Sequence, residues 1–212
     1  MTAEVLPTLL VHSAHEAEEK LHALSGYSGW VQVDVIDGLF ARNTTLATDE
    51  YPDLLRSYSL EVQLMVKDPL PFIQEWYQYG VGRIIIHLES HADILECIRA
   101  VRKLKLEVGV GIAPATPLGQ LAPFAADIDR ILLLGVDPGF EGQTFQHETF
   151  SRIAELHGSY PLIPIEVDGG ITPDVALQAY RAGATSFAVN SYLFSSSDPL
   201  SALQTIGKAL KL

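Results

Sequence analysis

Two carboxylates stand in places where a carboxylate is costly. Asp34 sits inside the alternating stretch Val31-Gln-Val-Asp-Val-Ile-Asp-Gly38, and Asp168 ends the apolar run Pro164-Ile-Glu-Val-Asp-Gly-Gly170. Each stretch reads as a strand running into a sharp turn. Burying an unpaired charge is strongly unfavourable, so each acid must face a polar partner or a cavity. Two acids at strand ends so far apart in sequence imply one site assembled by a closed sheet. Glycine-bearing turns follow the last strands: Pro138-Gly-Phe-Glu-Gly-Gln143, Asp168-Gly-Gly-Ile-Thr-Pro173 and Val189-Asn-Ser191. Glycine lets backbone amides approach an anion, and a helix N-terminus favours negative charge. Gly139, Gly142, Gly169, Gly170, Asn190 and Ser191 are therefore the candidates for holding a phosphate.

The elements that must position these residues alternate regularly. Apolar or β-branched runs predict strands over residues 4–10, 30–36, 60–66, 83–87, 106–112, 130–136, 162–167 and 186–189. Helical spacing falls between them, over 14–24, 71–79, 92–104, 117–124, 149–157, 173–182 and 199–210, with a further amphipathic piece at 51–58. Continuous apolar strands separated by helices argue for a parallel sheet covered on both faces. At about eight repeats the sheet can close into a (β/α)8 TIM barrel, with its working residues at the C-terminal strand ends. An open doubly wound sheet would normally show a Gly-x-Gly-x-x-Gly fingerprint after its first strand, and none is there. Placed on the barrel, Thr8, Gln32 with Asp34, Gln63 with Met65, His87 with Glu89, and the three glycine turns all share one mouth.

Composition narrows the reading. The 212 residues are 48% hydrophobic, which suits one domain spanning 1–212. Fourteen Lys and Arg against 26 Asp and Glu give a net charge of −12, which offers no general attraction to nucleic acid or to an anionic membrane. An anionic ligand must then be held by backbone amides rather than by a cationic patch. The one cysteine, Cys97, rules out an intramolecular disulfide and fits a reducing compartment. No apolar run is long enough to span a bilayer, so a cytoplasmic protein is expected. The histidines other than His87 show no metal-ligand spacing.

Several runs in one order carry a resemblance: Val33-Asp-Val-Ile-Asp-Gly38 with Asn43, Leu64-Met-Val66 with Pro69, His87-Leu-Glu89, Ala113-Pro-Ala-Thr-Pro-Leu118, Asp137-Pro-Gly-Phe-Glu-Gly-Gln143 with Phe145, and Glu166-Val-Asp-Gly-Gly-Ile171. The chain resembles the ribulose-phosphate 3-epimerase family over almost its whole length. The resemblance implies an isomerase that epimerises a ketopentose 5-phosphate at carbon 3, with Asp34 and Asp168 as the acid and base. It implies substrate contacts at Thr8, Gln32, Gln63, Met65 and His87, a small phosphorylated sugar as partner, and association into homo-oligomers.

The chain also departs from the family pattern. Two histidines that, with the two aspartates, bind zinc or iron in the family are Gln32 and Gln63 here. A metal would find at most Asp34, Asp168, Gln32 and Gln63, and a neutral amide is a poor ligand for zinc or iron. The expected cofactor is accordingly none, or a weakly bound divalent cation. Gln32 and Gln63 admit two readings: amide donors to the enediolate, or a polar network beneath the pocket. Glu141 adds a negative charge beside the phosphate loops. Two functional readings follow: an epimerase or isomerase working by two-base proton transfer, and a catalytically impaired homologue that binds a sugar phosphate as a regulatory or accessory protein.

Overall fold

The computed structural model describes residues 3–211; residues 1, 2 and 212 of the expected 1–212 domain lie outside the described residues. Eight parallel strands close into a barrel in sequence order. They are β1 (Glu4–Leu9), β2 (Trp30–Ile36), β3 (Ser59–Met65), β4 (Arg83–His87), β5 (Glu107–Ile112), β6 (Arg130–Leu134), β7 (Ile165–Asp168) and β8 (Ser186–Val189). Seven helices are described: α1 (Ala14–Ala23), α2 (Pro69–Tyr79), α3 (Ile94–Lys103), α4 (Thr149–Ser159), α5 (Pro173–Ala182), the four-residue α6 (Ser191–Phe194) and α7 (Pro199–Leu210). The expected TIM barrel is the observed fold. No described helix is long and apolar enough to cross a membrane.

Two of the expected repeats are shorter than the pattern implied. After β2 the chain makes 3-10 turns at Thr48–Glu50 and Asp53–Ser57, and after β5 at Leu118–Leu121 and Ala125–Asp127, in place of α-helices. Pro52 and Pro117 precede one turn in each pair, and proline disfavours helical backbone in the residue before it. The seventh strand starts later than its apolar residues suggested, because Leu162 lies in an exposed turn. Elsewhere local signals set the boundaries. Asp68, Thr172 and Asp198 cap α2, α5 and α7 with their side chains, each ahead of a proline in the first turn.

Strand alternation divides the apolar residues between two environments. Val31, Val33, Val35, Val62, Leu64, Ile84 and Ile86 belong to the large core between sheet and helices. Ile85, Ala113, Leu132 and Leu134 form a separate cluster inside the barrel. The interior positions at the N-terminal end of the strands are charged. Arg83 donates to Glu61 at 2.9 Å and to Glu107 at 2.8 Å; Arg130 donates to Glu166 at 2.5 Å and to Ser186 at 2.9 Å. The Ser186 hydroxyl in turn donates to Glu4 at 3.1 Å. Glu61 and Glu166 are both fully buried. Burial and the neighbouring Glu61 charge push the Glu166 carboxyl well above the usual carboxylate range.

Removing one partner of such a network leaves uncompensated buried charge. Arg130→Met is expected to destabilise the barrel by roughly 3–5 kcal/mol, seen as a lower urea midpoint with an unchanged m-value. An unchanged midpoint would show that the ion layer is dispensable.

Candidate active site

Asp34, near the end of β2, and Asp168, the last residue of β7, open into one cavity of about 830 Å³ at the C-terminal end of the barrel. The closed sheet brings together two strands that are not neighbours in it. Asp34 is 5% exposed and Asp168 8%. Burial, then the charge of Asp168, raises Asp34 well above the usual carboxylate range. Burial pushes Asp168 up to about 7, against the Gln63 amide and the Gly169 N–H, which favour its ionised form. Buried at one cavity, both carboxyls are pushed toward their protonated forms, and the charge of Asp168 adds to the rise of Asp34. Leu10, Met65, Leu134, Val136 and Ala188 make an apolar wall around the two acids.

The other end of the cavity is built from the loops after β6, β7 and β8. Gly139, Gly142, Gly169, Gly170, Asn190 and Ser191 all line it. Glycine is required at Gly170, where φ is +68° and a Cβ would lie 2.7 Å from the Phe145 backbone nitrogen. The loops hold each other: the Gly142 N–H donates to Ser191 Oγ at 2.9 Å. Asn190 turns a buried Oδ1 that has no partner among the described residues. Glu141 is drawn toward Lys20 of α1, whose ammonium lies 3.7 Å from its carboxylate. Lys20 also donates to the carbonyl of Leu10 at 2.9 Å and pairs with Glu16 at 3.0 Å.

Thr8, Gln32, Gln63 and His87, expected as substrate contacts, do not line the cavity. Each is at most 1% exposed and lies under its floor. Thr8 Oγ1 donates to Gln32 Oε1 at 2.7 Å, and Gln32 Nε2 donates to Gln63 Oε1 at 2.7 Å. The Gln63 amide nitrogen faces Asp168 without reaching full hydrogen-bond geometry and has no other partner among the described residues. Of the two readings of the glutamines, the polar network beneath the pocket is the arrangement seen. Both amide oxygens, the atoms by which glutamine could ligate a cation, are already acceptors. Among the described residues no three His, Cys, Asp or Glu side chains gather as a metal site.

His87 packs against Gly111, where a Cβ would lie 2.5 Å from its ring, and meets Phe40 edge-on at 5.3 Å. Its Nδ1 is 3.4 Å from Glu89 Oε2. Burial alone would raise Glu89, but His87, the Thr116 hydroxyl and the Ala113 N–H outweigh it and hold the carboxyl down at about 2. The result braces the end of β4 against the loop after β5. A second brace crosses the mouth, where Asn43 Nδ2 donates to the Gly139 carbonyl at 2.6 Å.

Sequence reading missed Lys20 and the ion layer below the floor. Lys20 gave no signal, since a helical Glu16–Lys20 pair looks like any solvated i,i+4 pair. The ion layer did give one: Glu61, Arg83, Arg130 and Glu166 recur two residues apart from Gln63, Ile85, Leu132 and Asp168, on the same interior face.

The family model described as the ribulose-phosphate 3 epimerase family matches residues 4–194. The cytoplasmic isoform of ribulose-phosphate 3-epimerase from Oryza sativa subsp. japonica is 27% identical over 216 residues, covering 99% of this chain and 95% of that protein. The ribulose-phosphate 3-epimerase of Chlamydia trachomatis is 34% identical over 172 residues, covering 77% and 74%. Among solved structures, KGPDC from Streptococcus mutans superposes with a TM-score of 0.78 at 11% identity, covering 100% of this chain and 98% of that one. The 3-keto-L-gulonate-6-phosphate decarboxylase of Vibrio cholerae gives 0.72 at 12%, with 100% and 98% covered. The structural likenesses speak for the barrel alone. The match of the family model across residues 4–194 places the chain in the ribulose-phosphate 3-epimerase family.

Proposed function

We propose that the chain is a phosphosugar epimerase of the ribulose-phosphate 3-epimerase type, exchanging a proton next to a ketose carbonyl between two faces. The observation that carries the reading is the pair Asp34 and Asp168, buried at one cavity with both carboxyls pushed above the usual range. Proton abstraction next to a carbonyl needs a base within reach on one face and an acid on the other. The Asp168 carboxylate removes the C3 proton, leaving an enediolate. Asp34 returns its own proton to the opposite face of C3, inverting that centre. The pair ends with its protonation states exchanged and is reset by the reverse reaction or by solvent. The apolar wall keeps water from competing and strengthens each electrostatic contact.

The phosphate would sit among Gly139, Gly142, Gly169, Gly170, Asn190 and Ser191, where three loops converge beside the acids. With Glu141 held by Lys20, its charge is partly neutralised at that end. The rice relative is named for ribulose phosphate, in keeping with a phosphosugar ligand here.

In D2O, Asp34→Asn is expected to slow epimerisation by roughly 10²- to 10⁴-fold while Asp168 still exchanges the C3 hydrogen of one epimer. Asp168→Asn should reverse the preference between epimers. Loss of label exchange from both epimers in either variant would reject the two-base division. A wild-type protein that binds ribulose 5-phosphate in a calorimeter with no exchange at all would instead favour the accessory, binding-only reading.

The pH profile follows from the direction of the shifts. The base must be ionised, and burial has raised Asp168 to about 7, so activity is present above that pH and falls as pH drops through it. Below this limb kcat/KM should fall about tenfold per pH unit. A plateau extending down to about pH 4, where an unperturbed aspartate titrates, would contradict the buried-pair assignment.

A further inference from the structure

The floor under the two acids contains a set of polar side chains that the two-base scheme does not use directly. Thr8, Gln32 and Gln63 come from three adjacent strands and are joined by two hydrogen bonds of 2.7 Å. All three are essentially without solvent contact. The Gln63 amide turns its oxygen toward Gln32 and its NH2 toward Asp168. That oxygen can only accept, so Gln32 presents its own NH2 to Gln63, and Gln32 Oε1 accepts from the Thr8 hydroxyl. Reversing either amide would set two oxygens, or two NH2 groups, against each other in a buried site, leaving groups unsatisfied.

We propose that Thr8, Gln32 and Gln63 form a closed hydrogen-bond relay at the place where the family's metal ligands would stand, and that this set of side chains does not take zinc or iron. The inference rests on the epimerase reading. The donor set does not fit zinc or iron. Both glutamine oxygens are committed as acceptors, the group nearest Asp168 is an NH2 that a cation would repel, and neutral amides are poor ligands for either metal. A buried network whose oxygens are all committed as acceptors is rigid.

Three measurements test the relay. Wild-type protein incubated with excess zinc and passed through a desalting column is expected to hold far less than one equivalent; a full equivalent retained would overturn the proposal. In a ¹⁵N-labelled sample the Gln32 and Gln63 side-chain amide protons should exchange slowly with solvent, and Thr8→Val should shift both pairs, the effect passing from the first amide to the second. A Gln63 amide pair that exchanges freely, or is unmoved by Thr8→Val, would overturn it as well. Neither readout requires turnover, so failure of the epimerase reading is seen separately, as absent proton exchange. The double variant Gln32→His with Gln63→His should gain one equivalent of zinc, and failure to gain it would show that the two glutamines are not what excludes the metal.

Discussion

The barrel axis must be close to electrically neutral, and much of the interior follows from that. Four acids, Glu61, Glu166, Asp34 and Asp168, are at most 8% exposed and share the interior with two arginines, Arg83 and Arg130. Isolated ionised groups cannot persist at that depth. The Glu4 and Glu107 carboxylates add to the acids around the two arginines. Burial pushes Glu166, Asp34 and Asp168 all above the usual carboxylate range, so the depth of the barrel favours their protonated forms. On the proposed epimerase reading, that same burial supplies an acid at the cavity.

The fold was legible because alternation, β-branched runs and helix caps agree along most of the chain. What periodicity could not distinguish was how a short connection would fold. The turns after β2 and β5 contain apolar residues at helical spacing, yet Pro52 and Pro117 leave room only for 3-10 segments. The site was legible at the level of strand ends, since Asp34, Met65, Asp168 and the glycine loops do reach one cavity. Depth was not. Thr8, Gln32, Gln63 and His87 stand at the same nominal level of the sequence pattern but point under the floor, because adjacent strands of a tilted barrel are staggered and residues two apart lie in different layers. Thr8 pairs in register with Gln32, whereas Gln63 pairs with Asp34. That stagger carries the amide chain diagonally across three strands.

Loops that carry chemistry must be held still, and here they are held mainly by one another. Asn43 reaches from the loop after β2 to Gly139 after β6, and Gly142 is tied to Ser191 after β8. Asp37 accepts from the N–H groups of Leu39 and Phe40 at 2.8 and 2.9 Å and of Lys67 at 2.7 Å, locking the turn that follows β2 to the one that follows β3. These bonds use backbone groups and short side chains, which lose little rotamer entropy on ordering. The arrangement suits a chain with a net charge of −12: these loops are tied to one another, and the nearby Lys20 restrains Glu141.

An amide chain in place of a cation would change what limits the chemistry. A divalent metal would stabilise an enediolate with full charges and would favour ionised aspartates. On the proposed reading the enediolate gains less direct stabilisation, because the relay's terminal NH2 faces Asp168 and not the cavity. Transition-state stabilisation would come instead from low dielectric around a buried pair of carboxyls. A site built this way would depend on hydrogen-bond direction rather than on ligand affinity. Each member of the chain from Thr8 to Gln63 is constrained in orientation by its neighbour, strand by strand.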